Sequence, residues 1–135
     1  MTLEDLQAEL KKDLVLDMTQ LQTEAAENIN LYCKWSTKYS NIRKSILSQD
    51  AQRKKATKTK LDYYSGRGDE VSMDRYERSE MKTVLSGDAD ILTVETRIQY
   101  LTIMLEFCGN AMDAIKSRGF AIKNIIDLRQ FEAGK

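Results

Sequence analysis

Residues 91–126 read ILTVETRIQYLTIMLEFCGNAMDAIKSRGFAIKNII, and this stretch decides the fold of the chain. Its apolar side chains recur in three-four alternation, the spacing of one face of an α-helix. The first stripe comprises Ile91, Val94, Ile98, Leu101, Leu105, Cys108, Met112 and Ile115. A second stripe with the same spacing lies beside it and comprises Met104, Phe107, Ala111 and Ala114. Gly119 interrupts the pattern, but Ile122 and Ile126 resume it in register. Two adjoining stripes give more apolar surface than one partner helix covers, so the segment is predicted to lie inside a helical bundle.

The rest of the chain is also predicted to be helical. A short helix begins after Thr2, with Asp5 three residues later, and ends near Lys12. Asp17 is interpreted as the cap of a long helix over about residues 18–64, whose apolar seam runs from Leu21 to Ile46. A third helix is predicted over 73–85, and residues 86–88 end it and cap the last one. The predicted fold class is therefore all-α, with long helices and a short N-terminal helix.

One opposing seam leaves the second stripe of residues 91–115 uncovered, which favours self-assembly through the C-terminal helices. The alternative is a hairpin within one chain, in which this segment packs only against residues 21–46. On the first interpretation the chain is a homo-oligomer. The predicted contact residues are Ile91, Val94, Ile98, Leu101, Met104, Leu105, Phe107, Cys108, Met112 and Ile115.

Composition excludes several classes of function. The 135 residues include no His and no Pro, with 21 basic and 21 acidic side chains. Without His the commonest general base and metal ligand are missing, so we expect no enzyme, no metal and no cofactor. The carboxylate pairs Glu77/Glu80 and Asp88/Asp90 are interpreted as acids in the first turns of helices. Residues 65–68 lack the phosphate-binding loop pattern.

The cysteines and the N-terminal residues indicate in which cellular compartment the protein is expected to lie. Cys33 and Cys108 both lie in apolar helical patterns, so both are predicted to be buried thiols in a reducing environment. The first twenty residues lack the apolar core of a signal peptide, and no stretch resembles a membrane span. We therefore expect a cytoplasmic protein with no membrane partner.

The net charge of zero hides a strong segregation along the chain. Residues 1–30 have a net charge of −5 and residues 68–113 a net charge of −6. Between them, residues 34–67 hold ten basic and two acidic side chains, a net of +8, and residues 114–135 have a net of +3. Such blocks are often only solvated helix faces. Here, however, the basic block coincides with the loss of apolar residues from the seam of the long helix.

Helical geometry sorts the basic block into two faces. At 100° per residue, Arg43, Lys44, Lys54, Lys55 and Lys58 fall within an arc of roughly 120°. Arg53 and Lys60 lie on another side of the helix together with Tyr64. Tyr63 and Tyr64 end the basic block. Cations that follow a phosphate backbone, with aromatic rings for base stacking, are typical of a sequence-tolerant single-strand site. The predicted nucleic-acid-binding residues are Lys58, Lys60, Lys54, Lys55, Arg53, Tyr63, Tyr64 and Arg67.

The motif KTKLDYYSGRGD at 58–69 resembles the basic motif of the UvsY family, the recombination mediators of T-even-type phages. The resemblance continues in LEDLQAELKKD at 3–13, LYCKW at 31–35 and SMDRYERSEMKTVLS at 72–86. It extends to AIKSRGFAIKNIIDLRQFEAGK at 114–135, so it covers essentially the whole chain in co-linear order.

This resemblance implies a non-catalytic protein that forms a ring of six or seven subunits. It implies single-stranded DNA as a ligand, and a RecA-like phage recombinase and the phage single-strand-binding protein as partners, in the cytoplasm of the infected host. The family's DNA-binding role carries over onto Lys58 and Lys60. Arginine is usual in the family at the second position, so Lys60 keeps the charge but lacks the guanidinium fork.

The basic block and the apolar seams also suggest how the chain is organised. We assign residues 1–71 to an N-terminal region with the DNA-binding helix and loop, and residues 72–135 to a C-terminal assembly region. The function that the resemblance implies is the loading of recombinase onto covered DNA during homologous recombination, recombination-dependent replication and repair. The alternative is a coiled-coil structural or adaptor protein without a nucleic-acid partner.

Overall fold

The structure, a computed structural model, describes residues 1–66 and 78–134. Within these two ranges all regular structure is α-helical, which confirms the predicted fold class. The helices are α1 Leu3–Asp13, α2 Leu21–Ser65, α3 Arg78–Ser86 and α4 Ala89–Glu132. With 45 residues in α2 and 44 in α4, both long helices far exceed the average length of about 11 or 12 residues.

The start of α1 follows the predicted capping pattern. The Thr2 hydroxyl accepts a hydrogen bond from the Asp5 backbone N–H at 3.1 Å, and the Asp5 carboxylate accepts one from the Thr2 N–H at 3.0 Å. This reciprocal pair satisfies two backbone donors at the helix start. Leu6 is buried on the inner face of the helix.

The start of α2 differs from the prediction. Asp17 does not cap this helix, because its carboxylate accepts hydrogen bonds from the backbone N–H and the hydroxyl of Thr19, at 3.0 and 2.6 Å. This is a local turn of the kind that Asp forms readily. The helix begins at Leu21, a few residues later than expected, and ends at Ser65.

Residues 86–88 behave as predicted. The Asp88 carboxylate oxygen Oδ1 accepts hydrogen bonds from the backbone N–H groups of Asp90 and Ile91, at 2.9 and 3.2 Å, and so caps α4. The preceding helix α3 ends at Ser86. Its predicted beginning at residue 73 lies outside the described residues.

The helices contribute to two compact units. The first contains Met1–Ile42 and the chain from Met104 onward, and the second falls within Arg43–Ile103. Each unit takes residues from both of the regions assigned from the sequence. Residues 71 and 72 lie outside the described part of the chain, and the division into a DNA-binding and an assembly region stays a prediction.

The first unit is built around Trp35, which is fully buried. Its indole Nε1–H donates a hydrogen bond to Asp13 at the end of α1, at 2.9 Å. Its ring meets that of Phe107 edge to face, with the centroids 6.1 Å apart. Lys34 adds an ion pair with the same Asp13 carboxylate at 2.6 Å. Together these contacts fasten α1 and α4 to the N-terminal half of α2.

A buried ion pair lies further along the same unit. Arg118 of α4 is buried and forms a salt bridge with Glu24 of α2. Its guanidinium also donates to the Asn28 side-chain oxygen at 2.8 Å and to the Val15 carbonyl at 3.1 Å. The Asn28 amide in turn donates to the Ile115 carbonyl at 2.9 Å. The charge of Arg118 is thus compensated by the Glu24 carboxylate and by hydrogen bonds to α2 and to the segment that precedes it.

The core stripe of α4 in this unit combines positions from both predicted stripes. It keeps three-four spacing and includes a charged residue, and α4 continues through Gly119 without a break. The buried positions are Met104, Cys108, Ala111, Ile115, Arg118 and Ile122.

The prediction that both cysteines are buried is wrong for Cys33. Cys108 is fully buried, whereas Cys33 is exposed on α2. Cys33 lies two residues from the buried Trp35, and two residues on a helix differ in direction by about 200°. The side chain of Cys33 therefore points away from the face on which the core forms.

Candidate nucleic-acid interface

An exposed basic face runs along the part of α2 that belongs to the second unit. All five cations of the predicted arc are exposed, over about 22 Å of helix between Arg43 and Lys58. We call this set the basic face, and it comprises Arg43, Lys44, Lys54, Lys55 and Lys58. The arc prediction thus agrees with the observed exposure.

The ion pairs of the basic face leave most of its charge uncompensated. Asp50 pairs with Arg53 and lies 3.4 Å from the Nζ of Lys54, whose side chain is still 76% exposed. Lys55 and Lys58 form no ion pair with any residue in the described ranges. A row of solvated cations of this kind attracts a polyanion at low salt concentration.

The second basic group of the sequence lies on a different side of α2. Arg53, Lys60 and Tyr64 are half-buried, because this side of the helix faces the interior of the second unit. Lys60 Nζ lies 2.9 Å from a carboxylate oxygen of Asp90 and 3.5 Å from one of Asp88. The predicted DNA-binding residues are therefore not equivalent. Lys54, Lys55 and Lys58 are exposed to solvent, whereas Lys60 contacts two carboxylates of its own chain.

Tyr64 completes what we call the Lys60 cluster, namely Lys60, Tyr64, Asp88 and Asp90. The Tyr64 hydroxyl donates a hydrogen bond to Asp88 Oδ2 at 2.7 Å. Asp88 thus caps α4 with one carboxylate oxygen. Its other oxygen accepts the Tyr64 hydrogen bond and forms an ion pair with Lys60. Two pairs of residues from distant parts of the sequence therefore meet at the beginning of α4.

The electrostatics of the cluster follow from these contacts. The hydrogen bond to Asp90, together with attraction to both carboxylates, raises the pKa of the Lys60 ammonium. Burial alone would raise the pKa of Asp88, but the hydrogen bonds from Tyr64 and from the start of α4, with the charge of Lys60, lower it. The hydrogen bond to Asp88 and burial raise the pKa of the Tyr64 hydroxyl. All three groups therefore keep their usual charge states at neutral pH.

The two tyrosines predicted to stack on bases lie against each other. The rings of Tyr63 and Tyr64 meet edge to face, with centroids 5.0 Å apart, and the Lys60 ammonium lies 5.6 Å from the Tyr63 centroid. Both residues are half-buried, and base stacking by either stays a prediction. Arg67, the last predicted nucleic-acid contact, lies outside the described residues.

Comparison with known proteins identifies the relatives of this fold. A sequence model described as "Recombination, repair and ssDNA binding protein UvsY" matches residues 9–135. The chain belongs to the UvsY family. It is 64% identical to the "Recombination protein uvsY" of Enterobacteria phage T4 over 137 residues, covering all of both chains.

Solved UvsY structures agree with this assignment. A crystal structure of the bacteriophage T4 recombination mediator protein UvsY, lattice type II, superposes with a TM-score of 0.91 at 64% identity, covering 98% of each chain. The lattice type IV structure gives a TM-score of 0.91 at 62% identity, over 97% of this chain and 99% of the other. The family is one of single-stranded DNA-binding proteins, which speaks against the alternative of an adaptor without a nucleic-acid partner.

The residues predicted to form contacts between subunits occupy two environments in this UvsY-family chain. Four of them, Ile91, Met104, Cys108 and Ile115, are buried within their own units and pack in the core of the chain itself. The remaining six are half-buried, and whether they contact another subunit stays a prediction. These six are Val94, Ile98, Leu101, Leu105, Phe107 and Met112.

Metal and membrane sites are not found in the described residues. Within residues 1–66 and 78–134, no three His, Cys, Asp or Glu side chains come together as metal ligands. None of the helices in those ranges is both long and apolar enough to span a bilayer. The carboxylates of Asp88 and Asp90 have another role, since they hold Lys60.

Sequence reasoning missed two features. It interpreted Asp88 as a helix cap and both Asp88 and Asp90 as first-turn acids, because nothing in the spacing of α2 and α4 indicates that they meet Lys60. It also missed the ion pair of Arg118. In that case a signal was present, since Arg118 lies at a core position of the three-four pattern between Ile115 and Ile122. A charged residue at such a position indicates a buried partner.

Proposed function

We propose that this chain binds single-stranded DNA through the basic face of α2 and loads a RecA-like phage recombinase onto DNA covered by the phage single-strand-binding protein. The observation that carries the proposal is the row of exposed cations from Arg43 to Lys58, combined with membership of a family of recombination, repair and ssDNA-binding proteins. The processes served would be homologous recombination, recombination-dependent replication and repair in the cytoplasm of the infected host.

The basic face suits a sequence-independent ligand. Lysine ammonium groups are point charges that contact phosphates without reading bases, and each neutralised phosphate releases condensed counterions. The face would follow the DNA backbone along α2, and Arg67 and the tyrosines would add contacts at its end. The binding free energy would then be mainly electrostatic, and affinity would fall as salt concentration rises.

Assembly would multiply this weak site. A ring of six or seven subunits, joined through residues of α4, would present several basic faces to one strand without any new kind of contact. Linked sites bind with an effective concentration that raises the overall affinity by avidity. Segments of DNA held on such a ring would be unfavourable for the competing single-strand-binding protein and accessible to the recombinase. The protein would act by holding DNA and partners, with no catalytic step of its own.

The DNA site is tested by the salt dependence of binding. Fluorescence anisotropy with a labelled oligonucleotide would compare the wild type with a Lys55→Ala/Lys58→Ala variant at several salt concentrations. Each lost phosphate contact should reduce the slope of log K against log salt by about 0.7, so the double variant should lose about 1.4. The matched control is Lys82→Ala/Lys123→Ala, which removes two exposed lysines outside the basic face. An equal loss of slope in both variants would contradict the assignment of the basic face.

The mediator role needs a second measurement. Labelled recombinase would be added to DNA already covered by the single-strand-binding protein, and its binding rate measured with and without the chain. We expect the chain to accelerate loading and the basic-face variant to do so less. A chain that binds DNA but leaves this rate unchanged would refute the mediator role alone.

Assembly is tested by native mass spectrometry. Leu101→Asp and Leu105→Asp place a charge at half-buried positions predicted to lie between subunits, and both should give smaller species than the wild type. Far-ultraviolet circular dichroism would verify that each variant is still helical. Folded variants that keep the wild-type mass distribution would show that these positions serve only the interior of the subunit.

A further inference from the structure

One of the predicted DNA-binding cations is already occupied by anions of its own chain. Lys60 lies between the carboxylates of Asp90 and Asp88, at 2.9 and 3.5 Å, and its side chain is 26% exposed. Lys58 of the basic face differs from it, because Lys58 forms no ion pair with residues 1–66 or 78–134. A phosphate at Lys60 would therefore compete with carboxylates that already contact its ammonium group.

We propose that Asp90 is an internal competitor of DNA: its carboxylate occupies the position that a phosphate takes at Lys60, and it thereby lowers the affinity for single-stranded DNA. The inference rests on the proposed function, because it requires that the chain bind DNA. It adds an acidic residue of α4 as a determinant of affinity to a site otherwise made of cations on α2.

The structure distinguishes Asp90 from Asp88 as the residue that can leave. The Asp88 side chain is 5% exposed, caps α4 through two backbone N–H groups and receives the Tyr64 hydroxyl. Removing it would leave several donors without a partner. The Asp90 side chain is 72% exposed, and its carboxylate contacts Lys60. Asp90 can therefore rotate into solvent at little cost, while Asp88 stays in place.

The position that Asp90 would vacate also suits a phosphate. A phosphodiester and a carboxylate both present anionic oxygens to the ammonium of Lys60. The site adjoins the first turn of α4, where the helix dipole and the first backbone N–H groups favour negative charge. A phosphate that displaces Asp90 would meet the same cation and the same helix end. Because one anion would replace another at Lys60, Asp90 would reduce the affinity for single-stranded DNA without abolishing it.

The size of the effect follows from the exposure of the pair. Ion pairs in which one partner is solvent-exposed are weak, so releasing Lys60 should tighten DNA binding by about two- to five-fold at low salt. The gain should shrink as salt concentration rises, because salt screens the Asp90 contact and the phosphate contact alike.

The test is a set of binding titrations with Asp90→Asn and a charge-matched control. Glu106→Gln removes the same charge from an exposed position of the same helix, outside the Lys60 cluster. We expect Asp90→Asn to bind a labelled single-stranded oligonucleotide about two- to five-fold more tightly than Glu106→Gln does. Asp90→Ala provides a second variant with the same expected gain, and circular dichroism verifies helicity.

A Lys60→Ala background separates the specific contact from a general change in charge. If Asp90 acts by occupying Lys60, the Asp90→Asn gain should disappear when Lys60→Ala is also present. Equal affinities of Asp90→Asn and Glu106→Gln, or a gain that persists without Lys60, would overturn this inference and leave the proposed function intact. Absence of DNA binding by the wild type and by every variant would instead overturn the proposed function, and this inference with it.

Discussion

The replacement Gly119→Ala should destabilise the first unit, although alanine is a better helix former than glycine. A Cβ atom at Gly119 would lie 2.8 Å from Nδ2 of Asn28, closer than real Cβ contacts allow. That amide nitrogen donates to the Ile115 carbonyl, and the oxygen of the same side chain accepts from Arg118. Asn28 therefore cannot move away without losing two hydrogen bonds.

The magnitude follows from one stabilising gain and two alternative destabilising costs. Replacing an interior helical glycine by alanine gains about 1 kcal/mol. Overpacking in a filled site costs about 1–3 kcal/mol, and the lost hydrogen bond from the charged Arg118 costs about 1.5–3 kcal/mol if Asn28 rotates away. The two costs are alternative responses to the clash, so the smaller cost less the alanine gain leaves a net destabilisation of up to about 2 kcal/mol.

Gly109 is the matched control in the same helix. A Cβ there would meet Tyr39 Cε2 at 3.6 Å, which is ordinary van der Waals contact. Gly109→Ala should therefore stabilise by about 1 kcal/mol, opposite in sign to Gly119→Ala.

Urea unfolding followed by circular dichroism measures both free energies. It should be carried out at one protein concentration, because any self-association makes apparent stability depend on concentration. In an Asn28→Ala background the clash is removed, so Gly119→Ala should then stabilise the protein as Gly109→Ala does. The reasoning is refuted if Gly119→Ala stabilises the otherwise wild-type chain as much as Gly109→Ala does.

Three further predictions concern charge and thiols. Arg118→Ala leaves Glu24 without its buried partner and should cost about 3–5 kcal/mol in urea unfolding, whereas a solvent-exposed arginine replaced by alanine should cost less than about 0.5 kcal/mol. Folding lowers the pKa of Asp88, so the ionised Asp88 carboxylate stabilises the folded state. This contribution is complete above the unfolded pKa of about 3.9 and is lost as the pH falls through the folded pKa. In thermal melts between about pH 5 and pH 3, Asp88→Asn should therefore lose less stability than the wild type does. Equal losses in the two proteins would show that the ionised Asp88 carboxylate does not stabilise the fold. A thiol reagent should label folded protein once, at the exposed Cys33, since burial raises the pKa of the Cys108 thiol; Cys33→Ser should then stay unlabelled until it is denatured.

The sequence predicted the helices well because local signals agree with one another. The Thr2–Asp5 capping box, the cap at Asp88 and the uninterrupted apolar periodicity each act within a few residues of the position they specify. The start of α2 was missed because Asp17 has two local options, a helix cap and a turn with Thr19. Their difference in energy depends on contacts that the local pattern does not contain.

Contacts between distant residues were harder to predict. Periodicity indicates that one side of a helix is buried, but it does not fix the angle at which the partner lies. The core of α4 therefore mixes the two predicted stripes, and Cys33 lies outside the core although it is near Trp35 in sequence. The arc of the basic face was predictable because it depends only on helical rotation. The partners of Lys60 were not, because they belong to another helix.

The order of residues in the two units has a consequence for synthesis on the ribosome. The second unit falls within one continuous stretch, Arg43–Ile103, so all of its side chains exist before residue 104 is added. The first unit must wait, because its central ion pair joins residues 94 positions apart in sequence. Until Arg118 emerges, the nascent chain carries Trp35 and the apolar seam of α2 without the α4 residues that cover them. The middle of the chain therefore needs no residue beyond 103 for its packing, whereas the two ends can pack only with each other.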